Sequence, residues 1–283
     1  MRVDKIGVCG AGKMGSSIAL SLAIAGYSVL LEDVTEDALE KARQSIDTQL
    51  AKMAGKNKIS PEEGKAALAR IRMSTEICEF EGVDFVIEAA AESLDLKKRI
   101  FSELDTVCRP DAVLVSNTST FSITAIAYAT ERPERVAGMH FFLPPSRIVE
   151  ITRGRYTSEA SAATVNEVGE KLVRTCINVK KDSPGFIANR IYTPLMLEAF
   201  RVYEEGLASK EEIDRAMTGT YLPVGPFELA DIIGLDVILS SLEYYESTLG
   251  PQWNPPVSLR ELVNTGCLGK KRGKGWYDYS ERS

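Results

Sequence analysis

Two sets of residues in this chain have types and spacing suited to chemistry. The first is Gly10-Ala-Gly12-Lys-Met14-Gly15, a GxGxxG string, followed 18 residues beyond Gly15 by Asp33. The string lies between a short apolar run and an amphipathic stretch, the strand-turn-helix context in which it binds a dinucleotide. Gly10 permits the tight turn, Gly12 lets the backbone approach a pyrophosphate, and Gly15 lets the helix sit close to the strand. The helix start, including Met14, then offers backbone N–H groups and a partial positive charge to the anion. The alternative is a glycine-rich turn in an α/β fold that binds no nucleotide. Asp33 closes the second apolar run beside Glu32 and is placed to accept both ribose hydroxyls. A 2′-phosphate there would meet two carboxylates with no adjacent arginine, so the expected cofactor is NAD(H) rather than NADP(H).

The second set is built around His140, the one histidine among 283 residues, in Gly138-Met-His-Phe-Phe-Leu-Pro-Pro145. It ends a strand pattern, and in an open α/β sheet the carboxyl ends of the strands face the ligand crevice. A histidine there can serve as general base. Glu150 follows ten residues later, in Ile148-Val-Glu-Ile-Thr152. If the chain turns at Pro144-Pro145, Glu150 on the returning strand faces His140, fixes its tautomer and raises its basicity. Ser116-Asn117-Thr118-Ser119, after another strand, is a polar cluster able to reach nicotinamide and substrate oxygens, or else to cap the helix that follows. Asn189 opens the first helix of the second half and is either a cleft residue or a helix-surface one.

The elements that must hold these groups alternate. Strand patterns at residues 3–9, 27–31, 83–88, 112–116 and up to His140 are interleaved with helical periodicity at 13–26, 36–54, 61–70, 94–107 and 122–129. That order implies an α/β fold with a doubly wound, mostly parallel sheet covered on both faces. Beyond about residue 182 strand patterns stop. Residues 184–206 read as a long helix apolar on more than one side, with Pro194 inside it. Ser209-Lys-Glu-Glu212 is a capping box, and Gly225-Pro-Phe-Glu228 and Gly234-Leu-Asp236 open further helices. The expected organisation is a Rossmann-type nucleotide-binding domain over 1–181 and a smaller all-α domain over 182–283.

Composition removes several alternatives. A net charge of −6 argues against a dedicated nucleic-acid binder. The five cysteines are scattered and form no CxxC pair, and with one histidine the usual zinc spacings are excluded. Free thiols suit a reducing compartment, so the cytoplasm is expected. No apolar run approaches the ~20 residues of a membrane-spanning helix.

Taken together, these motifs resemble the 3-hydroxyacyl-CoA dehydrogenase family. The resemblance is carried by Gly10–Gly15 with Asp33, Ile87-Glu88-Ala89, Glu92, Ser116-Asn-Thr-Ser119, Gly138-Met-His-Phe-Phe142 and Asp182-Ser-Pro-Gly-Phe-Ile-Ala-Asn-Arg190. Gly225-Pro-Phe-Glu-Leu229, Gly234-Leu-Asp236 and the closing Gly269-Lys-Lys-Arg-Gly-Lys-Gly-Trp-Tyr277 continue it over nearly the whole chain. It implies a Rossmann-type domain followed by a helical domain that dimerises, and NAD-dependent, reversible oxidation of an L-3-hydroxyacyl-CoA thioester. By resemblance, His140 is the catalytic base and Glu150 its orienting carboxylate. Ser119 and Asn189 hold the substrate oxygen, and Asp33 binds the ribose. Glu92, Lys97 and Asn117 line the cofactor site, and Lys56 meets the coenzyme A phosphates.

The chain departs from the family pattern after the histidine. His-Phe-x-Asn-Pro is replaced by His140-Phe-Phe-Leu143-Pro-Pro, and the segment to Glu150 is about two residues short. Relatives that oxidise free 3-hydroxy acids such as L-gulonate or carnitine also carry a proline-rich segment there. A non-CoA 3-hydroxy acid is therefore the second expectation, and a non-catalytic NAD-binding protein the third.

Overall fold

The structure is a computed structural model and describes residues 2–142, 146–172 and 174–280. The chain divides into two compact units, Met1–Ser183 and Pro184–Ser283.

The first unit contains one sheet with strands β1 (Lys5–Cys9), β2 (Ser28–Glu32), β3 (Ile71–Ser74), β4 (Phe85–Glu88), β5 (Val113–Ser116), β6 (Val136–Phe141), β7 (Ile148–Arg153) and β8 (Thr175–Val179). Their spatial order is β3-β2-β1-β4-β5-β6-β7-β8. All neighbours are parallel except β6 and β7. Every residue of β4, β5 and β6 is buried, as expected of strands covered on both faces. The covering helices are α1 (Lys13–Ile24), α2 (Glu36–Ala54), α3 (Pro61–Ala69), α4 (Leu94–Val107), α5 (Ile123–Ala127) and α6 (Glu159–Lys171). Their starts follow local chemistry. Thr35, Ser93, Ser122 and Ser158 each accept a backbone N–H from the first turn, and Ser60 with Glu63 forms a full capping box. The fold is thus the doubly wound α/β arrangement expected from the alternation, with its reversal between β1 and β4 at the carboxyl end that carries the glycine turn.

Three elements go unannounced in the sequence, for physical reasons. The strand β3 borders the sheet and is nowhere fully buried, so Ile-Arg-Met-Ser carries no clean apolar signal. At the opposite edge, β8 is similarly half-covered. The buried face of α6 is made of small residues, Ser161, Ala162, Thr164 and Gly169 among them, which blurs its hydrophobic stripe.

The second unit is helical among its described residues: α7 (Ala188–Glu204), α8 (Lys210–Thr220), α9 (Pro226–Ile233), α10 (Leu235–Leu249) and α11 (Val257–Asn264). The long helix expected over 184–206 begins later, because Gly185 (φ +77°) and Phe186 (φ +49°) adopt left-handed backbone that a helix does not admit. Pro194 lies within α7 as expected. The core centres on Phe200, Phe227 and Trp276, whose ring centroids lie 4.8–5.2 Å apart. Buried Asp231 accepts from the backbone N–H of Trp276 and Tyr277, which anchors the closing Gly-Lys-Gly-Trp-Tyr motif to α9.

Candidate active site

The glycine turn has the shape its spacing implies. Gly10 has φ +100°, and a Cβ there would stand 2.8 Å from the Ala89 backbone. At Gly15 a Cβ would stand 1.8 Å from the Gly10 carbonyl oxygen, so only glycine allows α1 to start against the turn. Gly12 is the opposite case. Among the described residues nothing lies within 4 Å of its Cβ position, so its backbone faces open space. Met14, in the first turn of α1, is half-buried and packs on the core. This arrangement fits a pyrophosphate: an exposed loop backbone at the N-terminus of a helix, with the turn held by β1 and β4. Asp33 Oδ2 accepts from Ala11 N at 2.8 Å, which fixes the carboxylate beside the loop.

A cleft of about 650 Å³ opens beyond it, lined by Gly10, Glu32, Asp33, Ala90, Arg99 and Glu103, among others. Sequence adjacency misses Arg99, which approaches from α4. The cleft still carries Glu32, Asp33, Glu76 and Glu103 against this one arginine, so a 2′-phosphate remains disfavoured. Glu32 is itself buried, and burial raises its carboxyl above the ordinary value; a hydrogen bond from Cys9 opposes this and the charge of Asp33 adds to it. Burial, and then Glu32, raise the Cys9 thiol well above its usual value.

Under the loops sits a buried ion network. Glu88, at the end of β4, accepts from Lys97 Nζ (2.8 Å), Ser116 Oγ (2.6 Å) and Ala90 N (2.7 Å). Lys97 Nζ also meets Glu92 Oε2 at 3.2 Å. The lysine is 1% exposed. Burial works to lower its pKa, but the charges of Glu88 and Glu92 outweigh burial and raise it. Glu92 then accepts from Thr118 Oγ1 (2.6 Å) and Ser119 N (3.0 Å), so the loop carrying Ser119 is held through Glu92 from Lys97. Asn117 Oδ1 accepts from Phe141 N at 2.9 Å and joins that loop to the residue after His140.

His140 and Glu150 come together, as expected if the chain reverses between them. They are direct partners in the antiparallel register of β6 and β7. Nδ1 of the imidazole and Oε2 of the carboxylate stand 2.9 Å apart, and both residues are buried. Nδ1 is the ring nitrogen that faces the Glu150 carboxylate. The Phe142 ring packs on the imidazole, centroids 4.3 Å apart. Leu143, where the chain departs from the family pattern, lies outside the described residues.

Two further candidates lie on other elements. Lys56 is exposed in the turn between α2 and α3, near Lys52 and Lys58. Asn189 is the second residue of α7, in the other unit. Residue type and spacing assign no role to Glu88 or Asp182, although both stand in motifs that carry the family resemblance. Glu88 carries part of its signal in the sequence, as a charge ending an otherwise apolar strand, and its partner Lys97 shares a buried stripe with Phe101 and Leu104 on α4. The described residues contain no group of three or more His, Cys, Asp or Glu able to hold a metal, and no helix long and apolar enough to cross a membrane.

Comparison with known proteins agrees with this geometry. Residues 5–183 match the family model described as 3-hydroxyacyl-CoA dehydrogenase, NAD binding domain, and residues 185–279 match its C-terminal domain. The chain is 44% identical to a probable 3-hydroxybutyryl-CoA dehydrogenase of Bacillus subtilis, covering 100% of both chains. It is 38% identical to the mitochondrial hydroxyacyl-coenzyme A dehydrogenase of Homo sapiens, over 98% of this chain and 91% of that one. The crystal structure of (S)-3-hydroxybutyryl-CoA dehydrogenase from Ralstonia eutropha superposes with a TM-score of 0.91 at 40% identity, over 99% of this chain and 100% of the other. These relatives do not favour the free 3-hydroxy acid reading.

Proposed function

This chain belongs to the 3-hydroxyacyl-CoA dehydrogenase family, is an NAD-dependent oxidoreductase, and we propose that His140 carries its proton chemistry on an L-3-hydroxyacyl-CoA thioester. The observation that carries the reading is the buried 2.9 Å contact between His140 Nδ1 and Glu150 Oε2 at the carboxyl end of β6. A bound NAD would supply the hydride acceptor for C3. His140 Nε2 takes the proton of the 3-hydroxyl, and Glu150 stabilises the imidazolium so formed. In the reverse direction the imidazolium returns that proton to the substrate oxygen. Ser119 and Asn189 are assigned to that oxygen, where hydrogen bonds stabilise the charge it develops. The residues proposed to hold the cofactor are Gly10, Gly12, Met14 and Gly15 at the pyrophosphate, Asp33 at the ribose, and Glu92 and Asn117 beside them. Lys97 acts in this set by holding Glu92. Lys56 is assigned to the coenzyme A phosphates.

The chain is proposed to work in the cytoplasm, in fatty acid metabolism, as a homodimer formed through its helical unit. Its five cysteines are all thiols, which suits a reducing compartment. An apolar cleft of about 540 Å³ between α7 and α8, lined by Leu195, Val202, Leu207 and Met217, supports the dimer face, as does the 69% exposure of Leu207. Light scattering of the purified chain gives the dimer mass under this reading, and Leu207→Glu lowers it.

The substrate class is tested with a panel: NADH oxidation with acetoacetyl-CoA and longer 3-oxoacyl-CoAs, against NAD reduction with free 3-hydroxy acids. Turnover of the thioesters is expected. Turnover of the free acids with inert thioesters would overturn the reading.

A further inference from the structure

Ser119 sits in a short loop between two carboxylates. On one side Glu92 takes the Ser119 N–H and the Thr118 hydroxyl. On the other, Asp182 reaches back about 60 residues to the start of α5. Its Oδ2 accepts from Ser122 Oγ (2.7 Å) and Thr124 N (2.7 Å), and its Oδ1 from Ile123 N (3.1 Å). Ser122 itself accepts from Ala125 N at 3.1 Å, so Asp182 also braces the residue that caps the helix. Asp182 is half-buried and satisfied at both oxygens by these three donors, a charge-assisted set stronger than neutral hydrogen bonds. It stands two residues before the second unit begins at Pro184.

We propose that Asp182 is a positioning residue for the dehydrogenase reaction: it fixes the far end of the loop carrying Ser119 and thereby sets where the Ser119 hydroxyl meets the substrate oxygen. A five-residue helix such as α5 is too short to hold its own first turn, since isolated helices below ~12 residues are marginal. The anchor therefore comes from outside. With Glu92 holding Ser119 N and Asp182 holding residues 122–124, the intervening loop has little freedom. Thr118 Oγ1 also accepts from Thr120 N and Phe121 N within the loop, so removal of Asp182 loosens its far end while these bonds remain. Small misplacements of a positioned group slow the chemical step far more than they weaken ground-state binding.

The inference rests on the reading that Ser119 acts at the substrate oxygen, and a double-mutant cycle separates the two. Asp182→Ala, Asp182→Asn, Ser119→Ala and the Asp182→Ala/Ser119→Ala pair are compared for kcat and KM with acetoacetyl-CoA, Kd for NADH, and Tm. Ser119→Ala alone tests the underlying reading: a loss of about 10²-fold in kcat is expected, and an unchanged kcat would overturn that reading and this inference with it. Given that loss, Asp182→Ala is expected to lower kcat about 10-fold or more, as a displaced group does, with Kd for NADH within about 2-fold of wild type. The paired variant is expected to be no slower than Ser119→Ala, because Asp182 acts through Ser119. Asp182→Asn, which keeps an acceptor for the backbone N–H groups, restores part of kcat. Ser122→Ala removes one of the three donors without touching Asp182, and gives a smaller loss of the same kind where Asp182→Ala does not fold. Losses that add fully in the paired variant, or wild-type kcat in the soluble Asp182 and Ser122 variants, would overturn the assignment.

Discussion

His140 and Glu150 are paired across the one antiparallel step in an otherwise parallel sheet, with Nδ1 and Oε2 2.9 Å apart. Antiparallel pairing places the two Cα atoms directly opposite, so both side chains project to the same face of the sheet. The reversal between β6 and β7 is thus what gives the histidine its carboxylate. A parallel continuation would have carried residue 150 away through a crossover helix.

The partnership predicts the behaviour of Glu150→Ala. Loss of the carboxylate leaves the tautomer unfixed and the imidazolium unsupported. A fall of about 10²–10⁴-fold in kcat is expected, with NADH affinity retained. Steady-state kinetics and a fluorescence titration of NADH check both halves. A kcat near wild type would separate Glu150 from the chemistry.

Asp33 holds the glycine loop through Ala11 N and faces the cofactor cleft. Asp33→Ala removes charge-assisted hydrogen bonds worth about 1.5–3 kcal/mol, a weakening of NADH binding by about 10- to 150-fold. Isothermal titration with NADH and NADPH measures it. The Asp33→Ala protein is also expected to discriminate less against NADPH. Unchanged NADH affinity would remove Asp33 from the ribose.

The Lys97–Glu88 pair is buried, with side-chain exposures of 1% and 0%. Lys97→Met leaves Glu88 without its cation, a loss of about 3–5 kcal/mol of folding stability. Lys97→Met with Glu88→Gln is expected to recover part of it, since the uncompensated charge is gone. Urea unfolding of wild type, both single variants and the pair gives the coupling. Additive losses would show that the two charges do not depend on one another.

Glu32 gives a pH signature. Its carboxyl is raised above the ordinary 4.5 in the folded protein, chiefly by burial. Between 4.5 and that raised value the folded state holds more protons than the unfolded state, so the contribution of Glu32 to stability falls as pH rises through the window. Glu32→Gln removes the fall. The variant is expected to gain Tm relative to wild type above the window more than below it. Thermal unfolding across pH checks this, and a gap that is constant with pH would contradict it.

How far the sequence announces the molecule depends on the kind of signal. The glycine turn, Asp33 and the doubly wound alternation are legible because their spacing is local and each residue type has one physical reason to be there. The His140–Glu150 pair is legible because one chain reversal between β6 and β7 is enough to bring residues ten apart face to face. Residues that act across long sequence distances are not. Asp182 reaches residues 122–124, Arg99 lines the same cleft as Asp33 from α4, and Lys97 meets Glu88 under the loops; no periodicity names the partner in such contacts. The strands β3 and β8 escape because edge strands are half-covered and lose the apolar run that marks the central ones.

The central claim is that His140 moves the proton at the substrate oxygen. Its most direct test is a single-turnover, rapid-mixing measurement of NADH oxidation by acetoacetyl-CoA in wild type and His140→Gln, with NADH affinity determined for each. The expected result is a rate constant about 10²–10⁴-fold lower in the variant, with NADH bound as tightly as by wild type. A variant that oxidises NADH at the wild-type rate would contradict the assignment.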